Sequence, residues 1–252
     1  MRLPINALIY LISYLLVGYA FSSENKKFPF HIGEKLEYDL SWGIIPVGNA
    51  TLQITKDKIQ EECNWKLNFF VRTNNFADAF YKVRTNVFSE IDPSFTKTLF
   101  YGKNQLEGKT QKLVDVKFDY QKKHCQYTEN KKDPIYVALN GKVFDPLSIV
   151  YAFRLYPAKE GDGRLIPTCD GKKTLPVYIR TGKKEKIRVP FGTFTANSAT
   201  PEMKNLSGVF KKSPKGMLKV WYSCDEKRLP LLIKSKVVVG SFTAKLRKVS
   251  KV

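Results

Sequence analysis

Apolar side chains recur at every second position through most of this chain, a spacing that fits one-faced β-strands and not helices. Leu36, Tyr38, Leu40 and Trp42 alternate with Lys35, Glu37, Asp39 and Ser41. After a bend at 43–48, Ala50, Leu52 and Ile54 resume the pattern against Asn49, Thr51, Gln53 and Thr55, which predicts a hairpin. Trp65, Leu67, Phe69 and Val71 give the next one-faced run, followed by Tyr81 to Val87 and by Val114, Val116, Phe118 and Tyr120. The second half carries shorter runs around Val177, Ile187, Val220 and Ala244. Many short strands separated by turn residues predict a mainly β chain, either a single antiparallel β-barrel or a curled sandwich.

One segment leaves this rhythm. Asp145-Pro146 opens an apolar stripe at helical spacing that runs to Leu155 and stops before Pro157. An N-cap aspartate followed by proline at the first helical position predicts one short helix over about 145–155, placed to plug an end or cover a seam.

The first twenty residues read as a secretory leader. Arg2 precedes the apolar run Ala7 to Val17, and Gly18-Tyr19-Ala20 places small residues where a signal peptidase cuts. The expected organisation is a signal peptide over 1–20 and a single β-rich domain over 21–252, in the periplasm. The alternative is an uncleaved N-terminal membrane anchor. Export changes the reading of Cys63, Cys125, Cys169 and Cys224. Four cysteines in an oxidising compartment allow two disulfides with three connectivities, which spacing does not rank. Close ligand pairs of the zinc type are absent, and no motif calls for a metal or a cofactor.

The formal charge is +20, from 43 Lys and Arg against 23 Asp and Glu, so nucleic acid is the first partner to consider. Two features argue against it. The chain is expected outside the cytoplasm, and 34 of those residues are lysines against nine arginines, the residue preferred for bidentate phosphate contacts. An exported basic domain would instead meet envelope lipid, polysaccharide or a periplasmic protein, touching the membrane only peripherally. Catalytic signatures are missing: there is no nucleophile elbow, phosphate loop or metalloprotease motif. His31 and His124 stand apart, and Glu61-Glu62 and Asp225-Glu226 read as solvated turns.

Several blocks nevertheless resemble a known family. Ile32 to Gly48, Asp145 to Arg154, Val189 to Phe194, Leu218 to Asp225, Arg228-Leu229-Pro230 and Gly240 to Leu246 occur in order. They resemble the bacterial exported family catalogued as domain of unknown function 3108. The resemblance spans Phe30 to Leu246 and implies a β-rich envelope protein with no established activity, so it supplies no catalytic residues. Cys224 departs from that family's pattern, where a residue such as aspartate is expected.

The expected function is non-enzymatic binding of an apolar or amphipathic envelope ligand, or of a partner protein. The alternatives are a carboxylate-dependent hydrolase of cell-wall or polysaccharide substrates and a structural or assembly factor. Candidate ligand contacts are Trp42, Arg154 and Trp221. Arg154, at the end of an apolar helix, is expected either to pair with an internal carboxylate or to face an anionic ligand.

Overall fold

The computed structural model describes residues 27–56, 63–202, 218–237 and 240–251. The expected leader at 1–20 and the Glu61-Glu62 pair lie outside them. Eight strands come first: β1 (Glu34–Trp42), β2 (Ile45–Lys56), β3 (Trp65–Thr73), β4 (Val83–Ile91), β5 (Thr98–Glu107), β6 (Thr110–Asp119), β7 (His124–Glu129) and β8 (Ile135–Ala138). Six more follow the helical segment: β9 (Gly163–Cys169), β10 (Thr174–Val189), β11 (Gly192–Pro201), β12 (Leu218–Ser223), β13 (Pro230–Val237) and β14 (Gly240–Lys251). The helices are α1 (Asn75–Asp78), between β3 and β4, and α2 (Ser148–Arg154), between β8 and β9.

All strands belong to one antiparallel sheet in the order 8-7-6-5-4-3-2-1-14-13-12-11-10-9. The chain therefore lays down two meanders that are joined where β1 pairs with β14. The outer edges, β8 and β9, meet across a seam not closed by a strand ladder among the described residues, so the sheet is curled and open. Residues 143–144 bridge that seam. Phe144 pairs with Thr168 in parallel, donates to Pro167 O at 2.9 Å and accepts from Cys169 N at 2.8 Å.

Period two is realised as expected. Leu36, Leu52, Phe69 and Val87 align across β1 to β4 and face the core, while Glu37, Thr51, Phe70 and Asn86 align on the opposite face. A bulge between Leu40 and Ser41 interrupts the register of β1 with β2. The core includes fully buried Leu36, Ile54, Leu67, Ile91, Val116, Leu231 and Leu246, with Tyr38, Phe95 and Tyr151 as its large members.

The capping signal before α2 works as read. Asp145 Oδ1 accepts from the N–H groups of Leu147 and Ser148 at 2.8 and 3.0 Å. The same carboxylate also accepts from Ser89 of β4 and Thr98 of β5, each at 2.7 Å, so the cap anchors the helix to the sheet. The other end is held by arginines. Arg164 donates to Phe153 O at 3.0 Å, and Arg228 donates to the carbonyls of Arg154 and Leu155. These contacts satisfy C-terminal carbonyls that a helix cannot satisfy internally.

The one-turn helix α1 has no counterpart in the sequence reading. Asn74 caps it, accepting from Ala77 N at 2.9 Å.

Candidate functional site

Arg154 takes the first of its two expected roles. Its side chain is fully buried and grips Glu34, the first residue of β1, with Nη1 to Oε1 at 2.6 Å and Nη2 to Oε2 at 2.9 Å. Nη2 also donates to Lys227 O at 2.9 Å and Pro29 O at 3.2 Å, and the guanidinium lies over the rings of Phe30 and Tyr151. Burial opposes its charge, but the Glu34 carboxylate more than offsets that, so its pKa lies above the ordinary value. With its donors engaged inside the protein, Arg154 is a clamp joining the start of β1, the end of α2 and the β12–β13 turn, and no face of it reaches a ligand. The carboxylate lies 120 residues away in sequence, so no local pattern could name it.

Trp221 is also internal. It is 6% exposed, its indole N–H donates to Glu185, and Lys219 and Lys234 sit over its ring. Trp42 differs. It closes β1 at 44% exposure, at the far end of that nine-residue strand from Glu34, roughly 25 Å away at strand rise. The three candidate contacts are therefore not brought together.

Trp42 instead belongs to an exposed apolar rim. The β1–β2 turn that follows it presents Ile44 at 97% exposure, with Ile45 and, across the β1–β14 pairing, Phe242 also exposed. Gly43 N donates to Ser241 O at 3.0 Å, which ties this turn to the β13–β14 turn. There Gly240 has φ of +112°, and a Cβ on it would lie 2.5 Å from Trp42 Nε1, so only glycine lets the indole settle over the turn.

The β3–β4 connection extends the same rim. Asn74 N and Nδ2 donate to Val47 O and Pro46 O, both at 2.9 Å, which seats α1 beside the β1–β2 turn. Its Phe76 and Phe80 rings contact each other at 5.4 Å and both are exposed, Phe80 at 78%. Tyr81 then packs over Gly108 in the β5–β6 turn. This end of the sheet thus carries exposed Trp42, Ile44, Ile45, Phe76, Phe80, Tyr81 and Phe242, with exposed Lys82, Lys109 and Lys236 beside them. The acidic Asp78 there is neutralised by Arg84. Monomeric proteins seldom leave such side chains contiguous in water without a binding role.

Two concavities complete the surface. An apolar pocket of about 70 Å³ lies between α2 and β9 to β12, lined by Ile149, Phe153, Val177, Ile179, Val220 and Tyr222. At one water-sized group per roughly 10–15 Å³, it holds a short alkyl or aryl group and not a whole acyl chain. A broad polar valley of about 1120 Å³ crosses the solvent face of β1 to β6, where Thr51, Phe70, Asn86, Asn104 and Leu113 stand in one row.

The two buried carboxylates of the described residues do not face each other across a cleft. Among the described residues, Glu34 and Asp145 are the buried ones. They are held at opposite ends of α2, and each is already hydrogen-bonded on both oxygens. A glycosidase needs two such groups about 5–10 Å apart across a cleft. Metal-type clusters of three His, Cys, Asp or Glu are absent among the described residues. No described helix is long and apolar enough to cross a membrane.

Comparison with one solved structure agrees with this picture of the fold. The family model described as "protein of unknown function (DUF3108)" matches residues 37–247. The crystal structure of a β-barrel-like protein of domain of unknown function DUF1849 from Brucella abortus is similar, with a TM-score of 0.58 at 10% identity. The match covers 88% of this chain and 98% of that one. A protein with a YmcC-like fold from Bacteroides fragilis aligns over 89% of this chain and 98% of its own, with a TM-score of 0.34 at 11% identity. No match is found among curated proteins.

Proposed function

Since the chain belongs to the DUF3108 family, whose description assigns no activity, its surface must supply the functional reading. We propose that it is an exported, non-enzymatic envelope protein that docks on anionic amphipathic lipid through its apolar rim. One observation carries this reading: exposed Trp42, Ile44, Phe76, Phe80 and Phe242 share one end of the sheet with exposed lysines. Aromatic and aliphatic side chains on turns enter the headgroup boundary, and each nearby lysine adds about 1 kcal/mol of attraction to an anionic surface. The leader at 1–20 supports delivery to such a surface, and the basic balance of the whole chain favours approach to it. The small apolar pocket supports contact at a lipid surface over enclosure of a lipid within the fold.

The test is co-sedimentation of the purified mature chain with vesicles of phosphatidylglycerol and phosphatidylethanolamine, compared with phosphatidylcholine alone. Partition to the anionic vesicles is expected, with a blue shift of tryptophan emission from Trp42. Ile44→Ser and Phe80→Ser, both at exposed positions, should each weaken partition about tenfold, the loss of roughly 1.4 kcal/mol of apolar transfer. Binding that survives the two changes together would show charge alone at work and overturn the reading.

A second reading rests on the polar valley. Asn104 is exposed there, and Phe70 is 43% exposed between Thr51 and Asn86, a surface suited to a polysaccharide strand. Retention on immobilised envelope polysaccharide that Asn104→Ala abolishes, without vesicle binding, would favour it.

A further inference from the structure

The seam between the sheet edges contains two of the four cysteines. Cys125 lies on β7 and Cys169 ends β9, strands that share no hydrogen-bonded ladder. Both side chains are fully buried, and their sulfurs stand 3.6 Å apart across 44 residues of sequence. The backbone around them is tightly set. Gly171 N donates to the Cys169 sulfur at 3.4 Å, and Gly171, at φ +87°, leaves no room for a Cβ against Tyr127 and Val116. Lys172, next in the turn, reaches back over the seam to Glu129 at 3.0 Å and covers the Tyr127 ring. The other two cysteines lie elsewhere. Cys224 is exposed and donates to Asn197 Oδ1 at 3.0 Å, and Cys63, half-buried, precedes β3.

We propose that Cys125 and Cys169 are a disulfide site that staples β7 to β9 across the open seam. The sulfurs need to close by about 1.5 Å to reach bonding distance, which side-chain rotation within the seam supplies. The reaction balances with an external disulfide, such as oxidised glutathione or an oxidoreductase disulfide, as the two-electron oxidant. The Cys169 thiolate attacks that disulfide and expels one thiolate. The Cys125 thiolate then attacks Cys169 Sγ in the mixed disulfide, expels the second, and the two protons leave with the reduced oxidant. Since both sulfurs are inaccessible in the folded chain, oxidation has to precede final closure of the seam.

The deciding experiment refolds the full chain in a glutathione redox buffer, alkylates it without reduction and maps the peptides by mass spectrometry. The expected map shows one linked pair joining the segments that contain Cys125 and Cys169. A Cys125→Ser variant should lose that pair and leave Cys169 alkylated. Four alkylated cysteines in the refolded wild type, or a dominant linkage of Cys125 or Cys169 to Cys63 or Cys224, would overturn the proposal, and the wild-type map decides it even if the variant does not fold.

Discussion

Replacing Arg154 with methionine tests whether the clamp at the end of α2 holds the fold. The substitution keeps an unbranched apolar stem but leaves the buried Glu34 carboxylate without its bidentate partner, and it strips donors from Lys227 O and Pro29 O. Removing one partner of a buried pair costs about 3–5 kcal/mol, most of it the penalty of the stranded charge. For a chain of this length each kcal/mol moves Tm by roughly 2–4 °C, so Tm should fall by about 10 °C at pH 7. Glu34→Leu combined with Arg154→Met removes both charges and should recover most of the loss, because an apolar replacement of the whole pair is often neutral. Urea unfolding of the four proteins of this cycle at pH 7 measures these quantities. A single variant within 1 kcal/mol of wild type at pH 7, or a double variant as unstable as the two single losses summed, would refute the reasoning.

Four further outcomes follow from the same coordinates. Asp145→Ala removes hydrogen bonds from Ser89, Thr98 and two helix N–H groups, and should cost about 3 kcal/mol by urea titration. Tyr151→Phe removes a buried hydroxyl that has no hydrogen-bond partner, so stability should stay level or rise by about 1 kcal/mol, measured in the same titration. Hydrogen bonds from Tyr127 and Lys172 hold Glu129 down to about 2. A depressed acid contributes stability that is complete above its unfolded pKa and is lost as pH falls through the folded one. Acid unfolding between about pH 4.5 and 2 should therefore be shallower in Glu129→Gln than in wild type. Closing the 44-residue loop from Cys125 to Cys169 constrains the unfolded chain by about 4 kcal/mol, so the oxidised chain should melt about 10 °C above the reduced one in a calorimeter.

The strands were legible because a half-buried sheet writes its two faces into alternate positions. Leu36, Tyr38, Ala50, Leu52, Phe69 and Val71 mark the core face by spacing alone, and Asp145-Pro146 marks the seven-residue helix α2. What stayed illegible is what long sequence separations create. Glu34 sits in an unremarkable polar slot at the head of β1, and only the return of the chain at Arg154 turns it into half of a buried pair. Cys125 follows the polar run Lys122-Lys123-His124, although Cys125 and Tyr127 alternate with His124, Gln126 and Thr128 in the manner of a buried strand. The apolar rim could not be seen because Trp42, Ile44 and Phe80 look like core residues until the turns that carry them are placed in solvent. Counting hydrophobic residues cannot separate those two fates.

Six of the arginines meet acceptors within the chain. Arg154, Arg164 and Arg228 surround the end of α2 and donate to its carbonyls or to Glu34. Arg84, Arg180 and Arg247 pair with Asp78, Glu202 and Asp39. A planar, multi-donor cation is needed wherever several acceptors must be met at once, and these are such places. Lys82, Lys109 and Lys236 face solvent on the rim, where a compact, hydrated charge on a flexible stem suits a fluid anionic surface and adds no fixed geometry. Exchanging those three lysines for arginine should therefore leave vesicle partition within about twofold, whereas exchanging them for glutamine should weaken it by ten-fold or more at low salt. A loss in the arginine set equal to that in the glutamine set would mean that the rim recognises a defined headgroup geometry and not the lipid surface charge.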